Sequence, residues 1–555
     1  MVSRFLLAQL HFNILINAES EKALKTALER LTTGSATDSE AYDSAYKDAI
    51  ERIEQQAVGK MRVAKRVLAW ITCAKRPLTT SELREAIAVE IGTSKLDAEN
   101  YSEIDYLVSV CAGLVTVDKR SKIIRLIHYT AQEFLERTQQ TWFSEDAQAL
   151  ITKVCTTYLS FTAFEDRLYT VYRGDRDGHP HVYHKTKHSS YQHFRACFRA
   201  YELLEYAAFY WGYHAYQAPS AHAHVMKFLQ RPMNVATSGA VSDWDISMTG
   251  LHVAARFGLD NAVLDLLKIS HKPNVRSHHK ETPLMIASRH GHKSTAKLLL
   301  EHKANVNLQG NHLQTALHRA AKYGREEVVQ LLLQNNAIVT VRNVKGRTAL
   351  HEAVRYQHSA VVSLLLRDTA AIDDAMGIRG DNPLRQAIYN GDLSVTKLLL
   401  NAGAKINGPY GGDDPPLYTA TQEGYETLVQ FLLNQGADVD CQCEDGCTPL
   451  IGAVLFGHEF IAEILLSYGA NINLQDKKGR SALLTAIQAE GEAMYTLLLK
   501  RGADVNILCA KGRTPLFTAA RKWSCDSSTA IPRCQRQRKC QRQVRLHPTP
   551  CCLRK

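Results

Sequence analysis

The sequence predicts a mainly α-helical protein whose second half is a solenoid of short helical repeats. Three observations predict it: a phrase of the form Thr-Pro-Leu-x-x-Ala at a fixed period, glycines at a constant offset after it, and leucine triplets between its occurrences. The phrase begins at Thr249, Thr282, Thr315, Thr348, Asn382, Pro415, Thr448, Ser481 and Thr514, a spacing of 33 residues with a single step of 34. A fixed period in this range marks units that bury their apolar faces only by stacking on one another.

Each slot of the phrase has a physical task. Thr, or its Ser and Asn substitutes, caps a first helix, and Pro at the next position sacrifices no hydrogen bond because that N–H has no helical partner. Leu and the small Ala face inward. Gly258, Gly291, Gly324, Gly391, Gly424 and Gly457 end the helix where a left-handed residue is wanted. A second helix carries Leu298-Leu299-Leu300, Leu331-Leu332-Leu333, Leu398-Leu399-Leu400 and Leu497-Leu498-Leu499. Turns such as Gly436-Ala-Asp-Val-Asp440 then lead into projecting fingers. These residues resemble the ankyrin repeat family, over roughly half of the chain and nine repeats, the last incomplete. The resemblance implies recognition of other proteins through the finger turns and the concave face of the inner helices. Gln357 and Glu490 replace the helix-ending Gly, and Thr369-Ala-Ala-Ile372 lacks the usual turn Gly.

Ahead of the repeats, residues 5–30 have helical periodicity through Leu6, Leu7, Leu10 and Ile14, and residues 41–53 form a second amphipathic helix. Between Met61 and Arg137 the pattern gives one helix ended near Arg76-Pro77, a second started by Thr79-Thr80-Ser81-Glu82, and a third through Ile104 to Gly113. The β-branched runs 114–117 and 123–127, joined at Asp118-Lys-Arg-Ser121, read as a hairpin. A further helix at 128–135 closes a winged helix. The phrases Val67-Leu-Ala-Trp70, Arg76-Pro77-Leu78-Thr79, Cys111-Ala-Gly113-Leu114, Leu126-Ile-His128-Tyr129 and Leu204-Glu205-Tyr206-Ala207-Ala208 resemble the segment following the NACHT domain in fungal-type STAND signalling proteins. That resemblance, over residues 1–215, implies a regulatory winged helix between an NTPase motor and a sensing array. The motor's P-loop is missing: no Gly-x-x-x-x-Gly-Lys-Ser/Thr occurs, and Gly59-Lys60 is followed by Met61. The expected organisation is a helical remnant following a missing NTPase domain (1–58), a winged helix (59–140), a helical connector with a His-rich insertion (141–246), ankyrin repeats (247–523), and a basic Cys-rich disordered tail (524–555).

The net charge of +11 is a property of that tail. Residues 521–555 hold ten Lys or Arg against Asp526, which leaves +2 for the remaining 520 residues. Thirteen cysteines without a disulfide spacing point to reduced thiols in the cytoplasm or nucleus. The apolar run Phe5–Ile16 is too short to span a membrane.

No nucleophile–base pair or paired carboxylates stand at catalytic spacing, so no catalytic residue, metal site or cofactor is assigned and a non-enzymatic protein is expected. His179, His181, His184, His188 and His193 read as solvated, and Cys441, Cys443 and Cys447 as surface thiols of one finger. His252, His318 and His351 read as turn and inter-repeat hydrogen bonders. A winged helix could hold nucleic acid, but Glu82, Glu85, Glu90, Glu103 and Asp105 against Arg84 make an acidic face that disfavours phosphate. The expected partner is a protein, one with an acidic surface, rather than a membrane, nucleic acid or small-molecule substrate. The residues before each helix-ending Gly are assigned to the binding face: Arg256, Phe257, Arg289, His290, Lys322, Tyr323, Arg355, Tyr356 and Tyr389. Arg and Tyr are the types enriched at interface hot spots.

Overall fold

The computed structural model describes residues 38–142, 146–164, 201–241, 247–269, 272–367, 382–407 and 414–526. The expected helix at 5–30, the His-rich insertion, the Thr369–Ile372 turn and most of the basic tail lie outside these residues. The chain divides into two compact units, Met1–Asn305 and Val306–Lys555, and each is taken by itself.

The first unit opens with α1 (Asp38–Glu54) and α2 (Val58–Cys73), which buries Ala64, Val67, Leu68 and Trp70. A short strand β1 (Leu78–Thr79) follows, where the sequence reading expected only an approach to the next helix. The reason lies in the cap. Thr79 stays extended to accept the Glu82 N–H, while the Glu82 carboxylate accepts the Thr79 N–H at 2.8 Å, a closed capping box. The extended pair then adds to a sheet, with Leu78 opposite Ile124 and Thr79 opposite Ile123. After α3 (Thr80–Ala88) and α4 (Ile104–Ser109), the hairpin β2 (Val115–Val117) and β3 (Ile123–Leu126) gives the antiparallel order β1-β3-β2. Helix α5 (Tyr129–Trp142) closes this winged helix by packing on α1, α2 and β3, and Leu83, Leu107, Ile124 and Phe134 are buried in the domain.

Four helices follow in the described part of the connector: α6 (Ala147–Tyr158), α7 (Leu204–Gln217), α8 (His222–Leu229) and α9 (Pro232–Val241). They dock on the winged helix through buried polar groups as well as rings. The Glu85 carboxylate accepts from Tyr101 Oη at 3.2 Å, from Leu203 N at 2.9 Å, and from Tyr158 Oη. Tyr206 packs 5.6 Å from Trp70, and its hydroxyl accepts the Lys75 N–H at 3.0 Å. His214, fully buried, bonds Tyr206 Oη at 2.8 Å and Gln148 Oε1 at 2.6 Å. Burial, and secondarily the Lys75 charge, hold its ring neutral, with its pKa pushed down to about 3.

The first two repeats complete this unit as α10 (Gly250–Phe257), α11 (Asp260–Lys268), α12 (Pro283–His290) and α13 (Lys293–Glu301). Backbone meets ring here at van der Waals limits. A Cβ on Gly212 would stand 2.2 Å from the Phe257 ring, so α7 can lie against α10 only with glycine at that position.

In the second unit the inner helices are α14 (Ala316–Lys322), α16 (Ala349–Arg355), α18 (Pro383–Tyr389), α20 (Pro416–Gln422), α22 (Pro449–Phe456), α24 (Ala482–Ala489) and α26 (Pro515–Asp526). Their partners are α15 (Glu326–Gln334), α17 (Ser359–Leu365), α19 (Leu393–Asn401), α21 (Glu426–Asn434), α23 (Glu459–Ser467) and α25 (Glu492–Lys500). Of each leucine triplet only the middle residue is fully enclosed: Leu332, Leu399 and Leu498 are buried, whereas Leu499 is exposed. Gln357 and Glu490 adopt the left-handed conformation of the glycines they replace, at φ 60° and 61°. In the last repeat Leu516 and Phe517 are exposed.

Candidate protein-binding face

The first-helix phrase is held by the histidine in it. In α14 the Thr315 N–H donates to His318 Nδ1, which leaves the Nε2–H to donate to the Arg347 carbonyl of the next repeat at 3.0 Å. His252 makes the same bond to the Glu281 carbonyl. Burial drives the His318 pKa down to about 4, so the ring is neutral and structural, as the sequence reading expects.

A second ladder escaped the sequence reading. At four of the left-handed caps the residue that follows reaches back to the preceding repeat. His292 Nε2 meets the Arg256 carbonyl at 2.9 Å in the first unit. In the second, His358 meets the Lys322 carbonyl at 3.0 Å and His458 meets the Gln422 carbonyl at 3.3 Å. Tyr425 Oη donates to the Tyr389 carbonyl at 3.4 Å. The signal was the recurring Gly-His pair at Gly291-His292 and Gly457-His458. This ladder pins the backbone of the assigned binding residues and leaves their side chains to other uses.

Those side chains differ in their surroundings. In the first unit, Phe257 leaves the candidate set: it is 4% exposed, wedged between Trp211 at 5.3 Å and Tyr213 at 5.2 Å. It stands at the array's first repeat, where α7 covers it, so a position that is open in later repeats is core here. Arg256 is half-buried, lies over the Phe257 ring and contacts His290 Nε2 at 3.3 Å. Arg289 and His290 are half-buried on the next helix end.

In the second unit the assigned residues stay accessible. Lys322 Nζ lies 5.5 Å from the Tyr323 ring centre and 5.3 Å from that of Tyr356, a cation held between two π faces. Tyr356 is 43% exposed and Tyr389 57%, and Arg355, next to Tyr356, is exposed as well. The acid of the same helices, Glu352, is buried and accepts from Asn343 Nδ2 at 3.1 Å. Further along, the corresponding positions turn to half-buried Gln422 and Glu423, then Leu455 and exposed Phe456.

Two other expectations change. The winged helix's acidic face loses two of its five carboxylates, because Glu82 and Glu85 are buried. Glu82 is bonded by Arg76 Nη1 at 3.0 Å, and Glu85 serves the connector. Glu90, Glu103 and Asp105 remain exposed. Cys443 and Cys447 are not surface thiols, being 7% and 0% exposed. Among the described residues no group of three or more His, Cys, Asp or Glu could hold a metal ion, and no helix is long and apolar enough to cross a membrane.

Comparison with known proteins agrees with this architecture. The family described as "Ankyrin repeats" matches in three copies, at residues 251–343, 338–410 and 384–476. The family described as "GPI inositol-deacylase, winged helix domain" matches residues 50–147. A curated relative, azaphilone pigments biosynthesis cluster protein L of Monascus ruber, is 36% identical over 110 residues, 17% of this chain and 23% of that protein. The chain thus spans under a quarter of that relative's length. Among solved structures, the human ASB11 ankyrin repeat domain is 29% identical, with 40% of this chain and 99% of that one covered at a TM-score of 0.35. The ankyrin repeat domain of Bcl-3, a member of the IkappaB family, is 30% identical, with 40% and 98% covered at 0.36. With repeats matched from 251 to 476 and a winged helix from 50 to 147, the chain is an ankyrin repeat protein whose array follows a winged-helix domain.

Proposed function

We propose that this chain is a non-enzymatic interaction protein whose array binds a protein partner with an acidic surface. The observation that supports it most is Lys322 set between Tyr323 and Tyr356, with Arg355 and Tyr389 exposed on the neighbouring inner helices. Rigid aromatic area beside fixed positive charge suits a hot spot: tyrosine loses little side-chain entropy, and the cations steer carboxylates towards it. In this reading the winged helix is an internal packing element inherited from a STAND-type sensor, not a reader of nucleic acid. Support comes from Glu85, which is committed to Tyr158 and the Leu203 amide inside the unit. The compartment is the cytoplasm or the nucleus.

The test compares proteins retained from a host-cell lysate by the immobilised chain and by a K322A/Y356A/Y389A variant. At about 1–2 kcal/mol for each truncated anchor, a specific partner falls below detection on the variant. Its retention by the parent also weakens as salt is raised. Identical sets of retained proteins on both would contradict the proposal. A labelled DNA duplex bound tightly and salt-dependently would favour a nucleic-acid role instead.

A further inference from the structure

Among the described residues, several fingers of the second unit share one five-residue turn, and that turn contains a seat for an anion. In Asn343–Arg347 and Asp476–Arg480 the first N–H donates to the fifth carbonyl, at 2.9 and 3.0 Å. The fourth residue, Gly346 or Gly479, has positive φ and donates to the first carbonyl at 2.8 Å. The first side chain is then met by two backbone N–H groups. Asn343 Oδ1 accepts from Lys345 N at 2.9 Å and Arg347 N at 3.1 Å, and Asp476 Oδ1 accepts from Lys478 N at 2.9 Å and Arg480 N at 2.8 Å. The fifth side chain faces the first across the turn, so that Arg480 Nε binds Asp476 Oδ2 at 2.7 Å.

Residues 443–447 build the same turn, with Cys443 N to Cys447 O at 3.0 Å, Gly446 N to Cys443 O at 2.8 Å, and Gly446 at φ 77°. Here the seat holds the Cys443 sulfur, and the residue facing it, where the Asp476 finger has its ion-pair arginine, is Cys447. We propose that Cys443 and Cys447 are a peroxide-sensitive dithiol that closes to an intramolecular disulfide across this finger. The Cys443 N to Cys447 O bond holds the two backbones side by side, and the two sulfurs are in hydrogen-bonding contact, the proximity that a disulfide needs. The Cys447 thiol and the Asp445 and Cys447 amides all bond the Cys443 sulfur, which draws its pKa down to about 7. Cys441, two residues earlier, is pushed up to about 12 by burial and stays a thiol.

The chemistry balances with hydrogen peroxide as oxidant. The Cys443 thiolate attacks one peroxide oxygen, the O–O bond breaks, and hydroxide leaves to become water. Cys443 is then a sulfenic acid, oxidised by two electrons while the peroxide is reduced. The Cys447 sulfur attacks the Cys443 sulfur, the S–S bond forms as the S–O bond breaks, and the departing hydroxide takes the Cys447 proton as a second water. The assignment of roles follows exposure: Cys443 retains 7% and Cys447 none. Closure fixes the finger whose Asp445 carbonyl accepts the Lys477 N–H of the next finger at 3.1 Å.

Cys509 supplies an internal control. It occupies the same seat in a turn with Cys509 N to Arg513 O at 3.0 Å, its pKa is also lowered by backbone N–H groups, and an arginine faces it instead of a second thiol. The full chain is treated with hydrogen peroxide in the presence of dimedone, blocked with N-ethylmaleimide, and cleaved before aspartate, which separates Cys443 from Cys447 at Asp445. We expect a dithiothreitol-reversible link, 2 Da lighter than its reduced peptides, between 440–444 and the peptide beginning at Asp445. It should persist in C441S, and Cys509 should carry dimedone instead. In C447S, Cys443 should carry dimedone as Cys509 does. A parent chain in which Cys443 and Cys447 remain fully alkylated, or in which Cys443 takes dimedone without linking, overturns the proposal and needs no variant to be read.

Discussion

Two glycines with the same backbone and different neighbours offer a sharp test of the inter-repeat ladder. Gly324 and Gly457 both end an inner helix in the left-handed region, at φ 65° and 79°. A Cβ on Gly324 would stand 2.6 Å from His358 Nδ1, whereas one on Gly457 meets nothing within 4 Å. Space is open there because Gly491 follows the next cap, where the corresponding position after Gln357 is His358. Gly457→Ala therefore costs only the left-handed strain of an L-residue, about 1 kcal/mol. Gly324→Ala adds displacement of the imidazole and loss of its 3.0 Å bond to the Lys322 carbonyl, for a total of about 3 kcal/mol. The assay is native-state hydrogen exchange, since long arrays need not unfold in one step. Amides of α15 in Gly324→Ala should speed up about thirty-fold more than those of α23 in Gly457→Ala, the equivalent of about 2 kcal/mol. Equal effects of the two alanines would refute the claim that the ladder contributes to stacking.

Replacing Gln357, a side chain held at φ 60°, by Gly should stabilise the array by about 0.5 kcal/mol, strain relief exceeding the added unfolded-state entropy; a lowered urea midpoint would contradict it. His318 has a folded-state pKa of about 4 against 6.5. The unfolded chain therefore takes up its proton first, and stability is complete above 6.5 and declines as pH falls to 4. The loss is on the order of 3 kcal/mol, and H318N should flatten that part of the pH profile of the urea midpoint. Gly212→Ala should destabilise the first unit by about 2–3 kcal/mol despite the better helix propensity of Ala, because the Phe257 ring has nowhere to move; an unchanged melting temperature would show that it does. The stripe variant K322A/Y356A/Y389A should leave the melting temperature within about 2 °C of the parent, because these side chains are exposed or partly exposed at helix ends.

Much of the fold is legible in the sequence because its determinants are local. The Thr cap, the Pro after it, the left-handed Gly and the leucine of each outer helix act within a single repeat and recur, so periodicity exposes them. The hairpin at 115–126 and the Thr79–Glu82 capping box are equally local. What escapes is decided by neighbours distant in sequence. Phe257 reads like the other pre-glycine positions until α7 is laid over it. Glu85 reads as surface charge until Tyr158 and Leu203, 73 and 118 residues away, arrive to bind it. The ladder of His358, Tyr425 and His458 is visible as a residue choice but not as a bond, because its acceptor lies 36 residues upstream. Strand β1 is two residues long and has no pattern of its own; only its partner β3 creates it.

The central claim is that the exposed Lys–Tyr stripe of the second unit is the face that meets a protein partner. The most direct measurement places a benzophenone side chain at Tyr356 and, as a control, at exposed Gln334 on α15, irradiates the full-length chain in its host cells, and identifies adducts by mass spectrometry. The account predicts a defined adduct at 356 with a protein of acidic surface, absent at 334 and lost when Lys322 is changed to Ala. Adducts that form at 334 and not at 356, or that persist unchanged in the Lys322→Ala chain, would contradict it.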